Sequence, residues 1–224
     1  MKVSRALSLA RASGATLTEY LAALYIYCLG SLYEAEARAG GRPGRSVIRL
    51  EVPVNMRRFL PSETMRNFSL YVSPEADMRL GPYSLEELVS RVHHSMQMEV
   101  DRRELSRQIS RNVGAELMPV IRATPLFVKD ILLGWAYRRL SDRIYSGVLS
   151  NLGKVDLPED MAPHVESFGM LIAPSQAIKK TCTVLSYGDE LSATFSSIVE
   201  TREVERLFFA TIVSRGVPIT VSEA

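Results

Sequence analysis

Ser150 and Asn151 place a hydroxyl and an amide side by side near the end of a predicted strand. The apolar run from Ser146 to Asn151 predicts that strand, and the letters Ser-Asn-Leu-Gly close it. Donors held at a strand end can stabilise an oxyanion that develops during a reaction. The alternative is that both side chains close a turn before Gly153, as serine and asparagine commonly do. The sequence alone leaves both interpretations open.

Arg57 and Arg58 lie in a long connection between strands predicted over Ser46–Val54 and Phe68–Val72. Their guanidinium groups could face a bound anionic group. The other interpretation is that they brace the loop through carboxylates or carbonyls. Within the first strand, Pro53 predicts an edge position or a bulge, because proline cannot donate a ladder hydrogen bond.

His93 and His94 stand inside a predicted helix that a capping box, Ser84 with Glu87, opens. Neighbouring side chains on a helix point about 100° apart, so His93 should flank the apolar stripe and His94 should face the other side. We therefore interpret both as structural or surface residues. No other pairing of a nucleophile with a base is found in the sequence.

The N-terminal part of the chain predicts a long helix that is apolar on several sides. Thr16 and Glu19 delimit a capping box that starts it, and Gly40 and Gly41 end it. A helix with so many apolar faces needs burial on several sides. A later helix after Thr124 and Pro125 carries apolar residues at helical spacing, for which we predict a core or interface role: Phe127, Ile131, Leu132 and Trp135.

The last third of the chain predicts mainly strands. Val165–Ala173 predicts one, and Thr181–Tyr187 with Glu190–Ser196 predicts a hairpin about Gly188 and Asp189. An amphipathic helix should follow from Val204 to Ile212 and stop at Gly216. A last strand is predicted over Val217–Val221.

Composition narrows the classes of partner. The chain has 224 residues and a formal charge of +2, which is too balanced to predict nucleic acid binding. Its two cysteines show no disulfide or metal spacing, no metal site is expected, and a cytoplasmic location is the simplest expectation. The longest apolar stretch is too short to cross a bilayer, so no membrane span is predicted.

Two stretches, VPVNMRRFLPSETMRNF at residues 52–68 and SNLGKVDLP at residues 150–158, resemble the C-terminal half of acyltransferases of the chloramphenicol acetyltransferase and condensation-domain superfamily. TLTEYLAALYIY resembles the helix that opens that half, and SYGDELSATFSS resembles its close. The resemblance implies an α/β fold, a two-layer sandwich of helices on a mixed β-sheet. It also implies a single domain over residues 1–224.

Enzymes of this family have two similar halves around a tunnel, and a His-His-x-x-x-Asp-Gly motif in the first half performs the chemistry. After His93 and His94 this chain has Met98 and Glu99 where the aspartate and glycine should follow. The resemblance therefore implies no catalytic residue in this chain and no activity of the chain alone. Its implied partner is the N-terminal half of the same enzyme.

In that family the histidine acts as general base on an acceptor alcohol or amine, which attacks an acyl-CoA or acyl-carrier thioester. Small-molecule acyl donors and acceptors are thus the implied substrates, and alcohol-accepting members resemble the chain most. Ser150 or Asn151 would supply an oxyanion donor, and Arg57 and Arg58 could face a coenzyme A phosphate. No permanently bound cofactor is implied.

Two alternatives have no catalytic role. One is a stand-alone interaction module that pairs with itself, as a homo-oligomer, or with another chain through surface that the first half would cover. The apolar first helix is the argument for it, because large exposed apolar patches mark partner surfaces. The other is a domain that binds acyl thioesters without turning them over.

Overall fold

The computed structural model describes residues 1–140 and 144–222, without the side chains of residues 115, 116 and 136–140. Seven α-helices lie within these ranges. They are α1 (Val3–Ala12), α2 (Leu17–Arg38), α3 (Leu85–Glu99), α4 (Arg102–Leu117), α5 (Pro119–Ala123), α6 (Leu126–Leu140) and α7 (Glu203–Ser214). Among the described residues, no helix has the length and apolar character that crossing a membrane requires.

Six strands form one mixed sheet with helices packed on it, which confirms the predicted α/β fold. They are β1 (Val47–Asn55), β2 (Ser69–Val72), β3 (Glu75–Asp77), β4 (Gly147–Val155), β5 (Lys180–Tyr187) and β6 (Glu190–Ser197). The order is β2-β1-β4-β5-β6, and β3 also pairs with β1. β4 runs parallel to both β1 and β5, whereas the other pairs are antiparallel.

β2 and β3 are two pieces of one antiparallel strand along the same side of β1. Both continue a single register against β1, and between them the Leu50 N–H donates to the Pro74 carbonyl at 3.0 Å. Pro74 has no N–H to return, so the ladder is interrupted there. The shared register places Ser73 opposite Glu51.

α2 is the central helix of the core. The Thr16 hydroxyl accepts from the Glu19 N–H, and the Glu19 carboxylate accepts from the Thr16 N–H, which is the predicted capping box. Tyr25 is fully buried and meets Phe195 and Phe208 edge-to-face, with ring centroids 5.4 and 6.5 Å apart. The chain thus covers this helix itself. The idea that its apolar surface is left for a partner is wrong.

The other predicted helices and the hairpin are also found. The second capping box opens α3, with the Ser84 hydroxyl accepting from the Glu87 N–H. β5 and β6 form the hairpin, and its turn uses a left-handed Gly188 at φ 57°. α7 ends just before Gly216, whose φ of 85° is also left-handed and favours glycine.

Two predicted strands are wrong. Residues 165–173 join no ladder. Instead, the Thr181 hydroxyl donates to the Ile172 carbonyl at 2.7 Å, and the Thr183 hydroxyl donates to the Met170 carbonyl. This segment therefore lies across a face of the sheet, where side-chain hydroxyls take the place of backbone partners. Residues 217–221 form no strand either.

α5 and α6 expose an unusually apolar surface. Phe127, Ile131, Leu132 and Trp135 are 67%, 70%, 58% and 60% exposed, so they do not belong to the core of this chain. Further exposed apolar side chains belong to the same stretch: Met118, Val120, Leu126 and Leu133. We call this surface, residues 118–135, the α5–α6 surface. Of the two predicted roles, core or interface, only the interface role is still compatible with the structure.

Candidate functional site

The parallel strands β1 and β4 separate near the middle of the sheet. They pair only where Leu50 and Glu51 face Gly147 and Val148. Beyond that point β1 pairs with β2 alone and β4 pairs with β5. We call the region between β1 beyond Glu51 and β4 beyond Val148, where the two strands are no longer paired, the strand crevice. Openings at the carboxyl ends of diverging parallel strands are common ligand sites in α/β sheets.

Pro53 lies on the β1 wall of the strand crevice. It pairs with Tyr71 of β2 and has no partner strand on the crevice side. The predicted edge position is therefore found locally, although β1 as a whole lies inside the sheet. A residue without an N–H is tolerated at such a position because one side of the strand needs no ladder donor.

Asn151 lies on the β4 wall. The sequence predicts that it ends the strand, but the structure places it inside β4. β4 continues to Val155 through a bulge between Asn151 and Gly153. The Asn151 side chain holds this bulge: its Oδ1 accepts from the Gly153 N–H at 2.9 Å, and its Nδ2 donates to the Thr18 hydroxyl at 2.9 Å. Asn151 thus anchors the crevice wall to the start of α2.

Ser150, which precedes Asn151 in β4, has a free hydroxyl. It is half-buried, and it shares a face of the sheet with Thr183, its register partner in β5. Within residues 1–140 and 144–222 its hydroxyl has no hydrogen-bond partner. It can therefore donate to a bound molecule without breaking an existing contact. The role of Ser150 as an oxyanion donor stays a prediction.

Arg57 and Arg58 lie just past the carboxyl end of β1. The Arg57 Nη2 donates to the carbonyls of Thr64 and Arg66 at 2.7 and 2.8 Å, so Arg57 braces the loop that follows. Arg58 is exposed, and no carboxylate of the described residues pairs with it. Binding of an anion by either arginine stays a prediction, and Arg58 has the freer guanidinium.

His93 contacts a buried carboxylate. Its Nδ1 lies 3.0 Å from Oε2 of Glu19, which is only 4% exposed. Burial alone would raise the pKa of Glu19, but hydrogen bonds with His93 and Thr16 outweigh burial and lower it. His94 is exposed, and its ring centroid is 5.3 Å from that of His93. His93 braces the α2 capping box, which is a structural role.

Sequence reasoning missed a polar cluster formed by Glu51, Tyr71, Ser73 and Tyr145, which we call the outer-face cluster. The hydroxyls of Ser73 and Tyr145 lie 3.2 Å apart, and the rings of Tyr71 and Tyr145 meet edge-to-face at 5.8 Å. Burial raises the pKa of Tyr145 to about 12; the Ser73 hydrogen bond opposes the rise, and Tyr71 and Glu51 add to it. Burial also raises the pKa of the Glu51 carboxyl.

Glu51 is the member of this cluster nearest to the strand crevice, because it occupies the last β1 position paired with β4. Within the described residues it has no cationic partner. A half-buried carboxyl of this kind can hold or accept a proton. The sequence does contain a signal for Glu51, because it stands between Leu50 and Val52, which are buried. In an alternating strand, the residue between two core residues lies on the face away from the core.

Both cysteine thiols lie in the hydrophobic core. Cys28 and Cys182 are unpaired and fully buried. Burial raises the pKa of Cys28 to about 12 and that of Cys182 still further. Neither thiol therefore has the thiolate character of a nucleophile. Among the described residues, no group of His, Cys, Asp and Glu side chains is arranged to hold a metal ion.

Comparison with known proteins gives fold similarity without sequence similarity. No protein-family model matches the chain, and no curated protein matches it. Solved structures do match. A nonribosomal peptide synthetase, FmoA3, superposes with a TM-score of 0.54 at 14% identity, over 94% of this chain and 21% of its own.

Two further solved domains give similar values. The epimerization domain from the third module of tyrocidine synthetase B has a TM-score of 0.53 at 11% identity, over 96% of this chain and 46% of that domain. The condensation domain from the Monacolin K polyketide synthase MokA has a TM-score of 0.50 at 14% identity, over 94% and 42%. This chain therefore spans less than half the length of each of these three structures.

The fold is thus shared with a condensation domain and an epimerization domain, which confirms the condensation-domain-like fold that the sequence resemblance predicts. Nearly the whole described chain takes part in the match. At 11–14% identity the likeness establishes the architecture and not the reaction.

Proposed function

We propose that this chain is the C-terminal half of a thioester-dependent acyltransferase and that the strand crevice forms one wall of its substrate tunnel. The observation that carries the proposal is the separation of β1 and β4 at their carboxyl ends, in a condensation-domain fold. The opening has an unengaged hydroxyl, Ser150, on one wall. Arg58 follows the end of the opposite wall.

The reaction divides between this chain and an N-terminal half that carries the histidine motif. The histidine removes the proton from an acceptor alcohol or amine, which attacks the thioester carbonyl. Ser150 then donates to the oxyanion, the carbon–sulfur bond breaks, and the thiol leaves with a proton. Stabilisation of the oxyanion by a fixed donor is typically a large contribution to such a reaction. Arg58, whose side chain is exposed, would meet a phosphate of acyl-CoA or of an acyl carrier.

The first test is an assay of the purified chain with acetyl-CoA and a short-chain alcohol, in which a thiol reagent detects free coenzyme A. We expect no release above the protein-free blank, because the chain lacks the base. Turnover by the pure chain would contradict the proposal that the base belongs to the N-terminal half.

The second test uses the acyltransferase assembly isolated from its native cells. There Ser150→Ala should lower kcat by about a hundredfold, in the range found for single oxyanion donors. Ser167→Ala, on an exposed segment outside the crevice, is the matched control and should leave kcat unchanged. Equal rates for the two variants would exclude Ser150 as the donor.

Calorimetry with coenzyme A separates turnover from binding alone. If the isolated chain binds coenzyme A and Arg58→Gln weakens that binding, the thioester-binding domain without catalysis becomes the better description. Arg103→Gln, an exposed arginine on α4, controls for general charge. Without heat of binding, the N-terminal half would have to supply most of the thioester site.

The α5–α6 surface favours a second function, a module that binds a partner. α6 exposes apolar side chains around its whole circumference, and a helix of that kind is normally buried within protein. Light scattering tests this directly. A homo-oligomer that Leu132→Glu converts to a monomer would support pairing between copies, and a strictly monomeric wild-type chain would count against self-pairing.

A further inference from the structure

A cleft of about 590 Å³ lies between β2 and α4, on the side of the sheet that holds the outer-face cluster. We call it the β2–α4 cleft. Its volume is in the range of small-molecule sites. Its walls comprise the end of β2 with Ser73, the end of α3, and one face of α4. Its lining includes Tyr71, Met98, Glu99, Glu104, Arg107 and Arg111.

The floor of the β2–α4 cleft is held in place by a polar network. The Ser73 N–H donates to Glu99 Oε2 at 2.8 Å, and the Ser95 hydroxyl donates to Glu99 Oε1 at 3.0 Å. The Ser73 hydroxyl in turn meets Tyr145. These contacts connect β2, α3 and the segment that leads into β4. The Glu99 carboxylate is therefore fixed in position before any ligand arrives.

The charges that line the β2–α4 cleft balance, but they do not all pair. Arg107 lies 3.4 Å from Glu104, so these two charges satisfy each other. Glu99 has no cationic partner and Arg111 has no anionic partner within residues 1–140 and 144–222. One carboxylate and one guanidinium thus remain, on different walls of one cleft.

This arrangement rejects ligands that carry a single sign of charge. An organic anion would be attracted by Arg111 but repelled by the carboxylate of Glu99. An organic cation would be attracted by Glu99 but repelled by Arg111. A molecule with one ammonium and one carboxylate would satisfy both groups. Tyr71, which is 42% exposed, and Met98, which is 70% exposed, offer an apolar surface for the rest of the ligand.

We propose that the β2–α4 cleft binds a small zwitterion with an apolar side chain, of the free amino acid class, with its carboxylate on Arg111 and its ammonium on Glu99. This site goes beyond the proposed acyl transfer and does not depend on it. It lies against the outer-face cluster, whereas acyl transfer is proposed for the strand crevice.

Calorimetry with three probes of one shape tests the proposal. L-phenylalanine carries both charges, 3-phenylpropionate only the negative one, and 2-phenylethylamine only the positive one. We expect L-phenylalanine to bind at least about tenfold more tightly than either analogue, because each analogue loses one charge-assisted hydrogen bond.

A variant tests the assignment of the ligand carboxylate to Arg111. Arg111→Gln should weaken L-phenylalanine about tenfold but should not weaken 2-phenylethylamine, because the amine loses only the repulsion by the Arg111 charge. Arg103→Gln is the matched control: it lies on the same exposed helix but does not line the cleft, and it should change neither affinity.

Three results would overturn the proposal. The first is the absence of binding of both L-phenylalanine and L-leucine at millimolar concentration. The second is binding of 3-phenylpropionate as tightly as L-phenylalanine, which would mean a site for anions. The third is an equal loss of affinity in the Arg103 and Arg111 variants, which would mean general electrostatic attraction rather than a built site.

Discussion

Ser150 and Asn151 are adjacent in one strand, yet replacing each by alanine should have different effects on stability. Asn151 makes two side-chain hydrogen bonds, to Thr18 and to Gly153, and Ser150 makes none among the described residues. At about 0.5–1.5 kcal/mol for each bond, Asn151→Ala should lower the free energy of unfolding by about 1–3 kcal/mol. Ser150→Ala should change it by less than about 0.5 kcal/mol.

Urea unfolding followed by far-UV circular dichroism measures both values, with unchanged m-values as the check that the unfolded states are comparable. Thr18→Val removes only the hydrogen bond from Asn151 to Thr18, so it should lower the free energy of unfolding by less than Asn151→Ala does. The double variant should cost less than the two single variants together. Equal costs for Asn151→Ala and Ser150→Ala would refute the assignment of a structural role to one and a free hydroxyl to the other.

Three further predictions concern the core. Glu205→Leu leaves the lysine that it pairs with buried and uncompensated, and should cost about 3–5 kcal/mol in urea unfolding. Because the folded pKa of Glu19 is lowered, its stabilisation exists above the unfolded pKa and is lost as pH falls through the folded value. The cost of Glu19→Gln should therefore be larger near neutral pH than at about pH 3. Gly147→Ala would put Cβ 2.6 Å from the Tyr25 hydroxyl and should cost about 1–3 kcal/mol in thermal unfolding, whereas Gly169→Ala meets no atom and should be neutral.

The elements that the sequence predicted well are those whose signals are local. Capping boxes specify a helix start through side chains three residues apart, and both boxes, at Thr16 and Ser84, are formed. A glycine with positive φ marks a turn in the same local way, as at Gly188 and Gly216. Such signals need no knowledge of the rest of the fold.

The elements that were mispredicted depend on distant partners. An extended segment becomes a strand only if a ladder partner is free, and residues 165–173 meet the hydroxyls of Thr181 and Thr183 instead. The bulge at Asn151 has the same origin, because the Thr18 hydroxyl that holds it is 133 residues away along the chain. The outer-face cluster joins β1, β2 and the segments that follow β2 and precede β4, so no spacing in the sequence predicts it.

The connection from β1 to β4 gives a physical reason to expect a partner at the α5–α6 surface. A parallel crossover needs little more than a dozen residues and one helix, and α3, which packs on α2, is enough to supply it. This chain adds α4, α5 and α6 before β4 begins at Gly147. Closing the sheet does not require these helices. Because α6 exposes Phe127, Leu132 and Trp135, the apolar surface that it offers would be a cost to a chain that acted alone. The added helices are explained if a second polypeptide surface buries them.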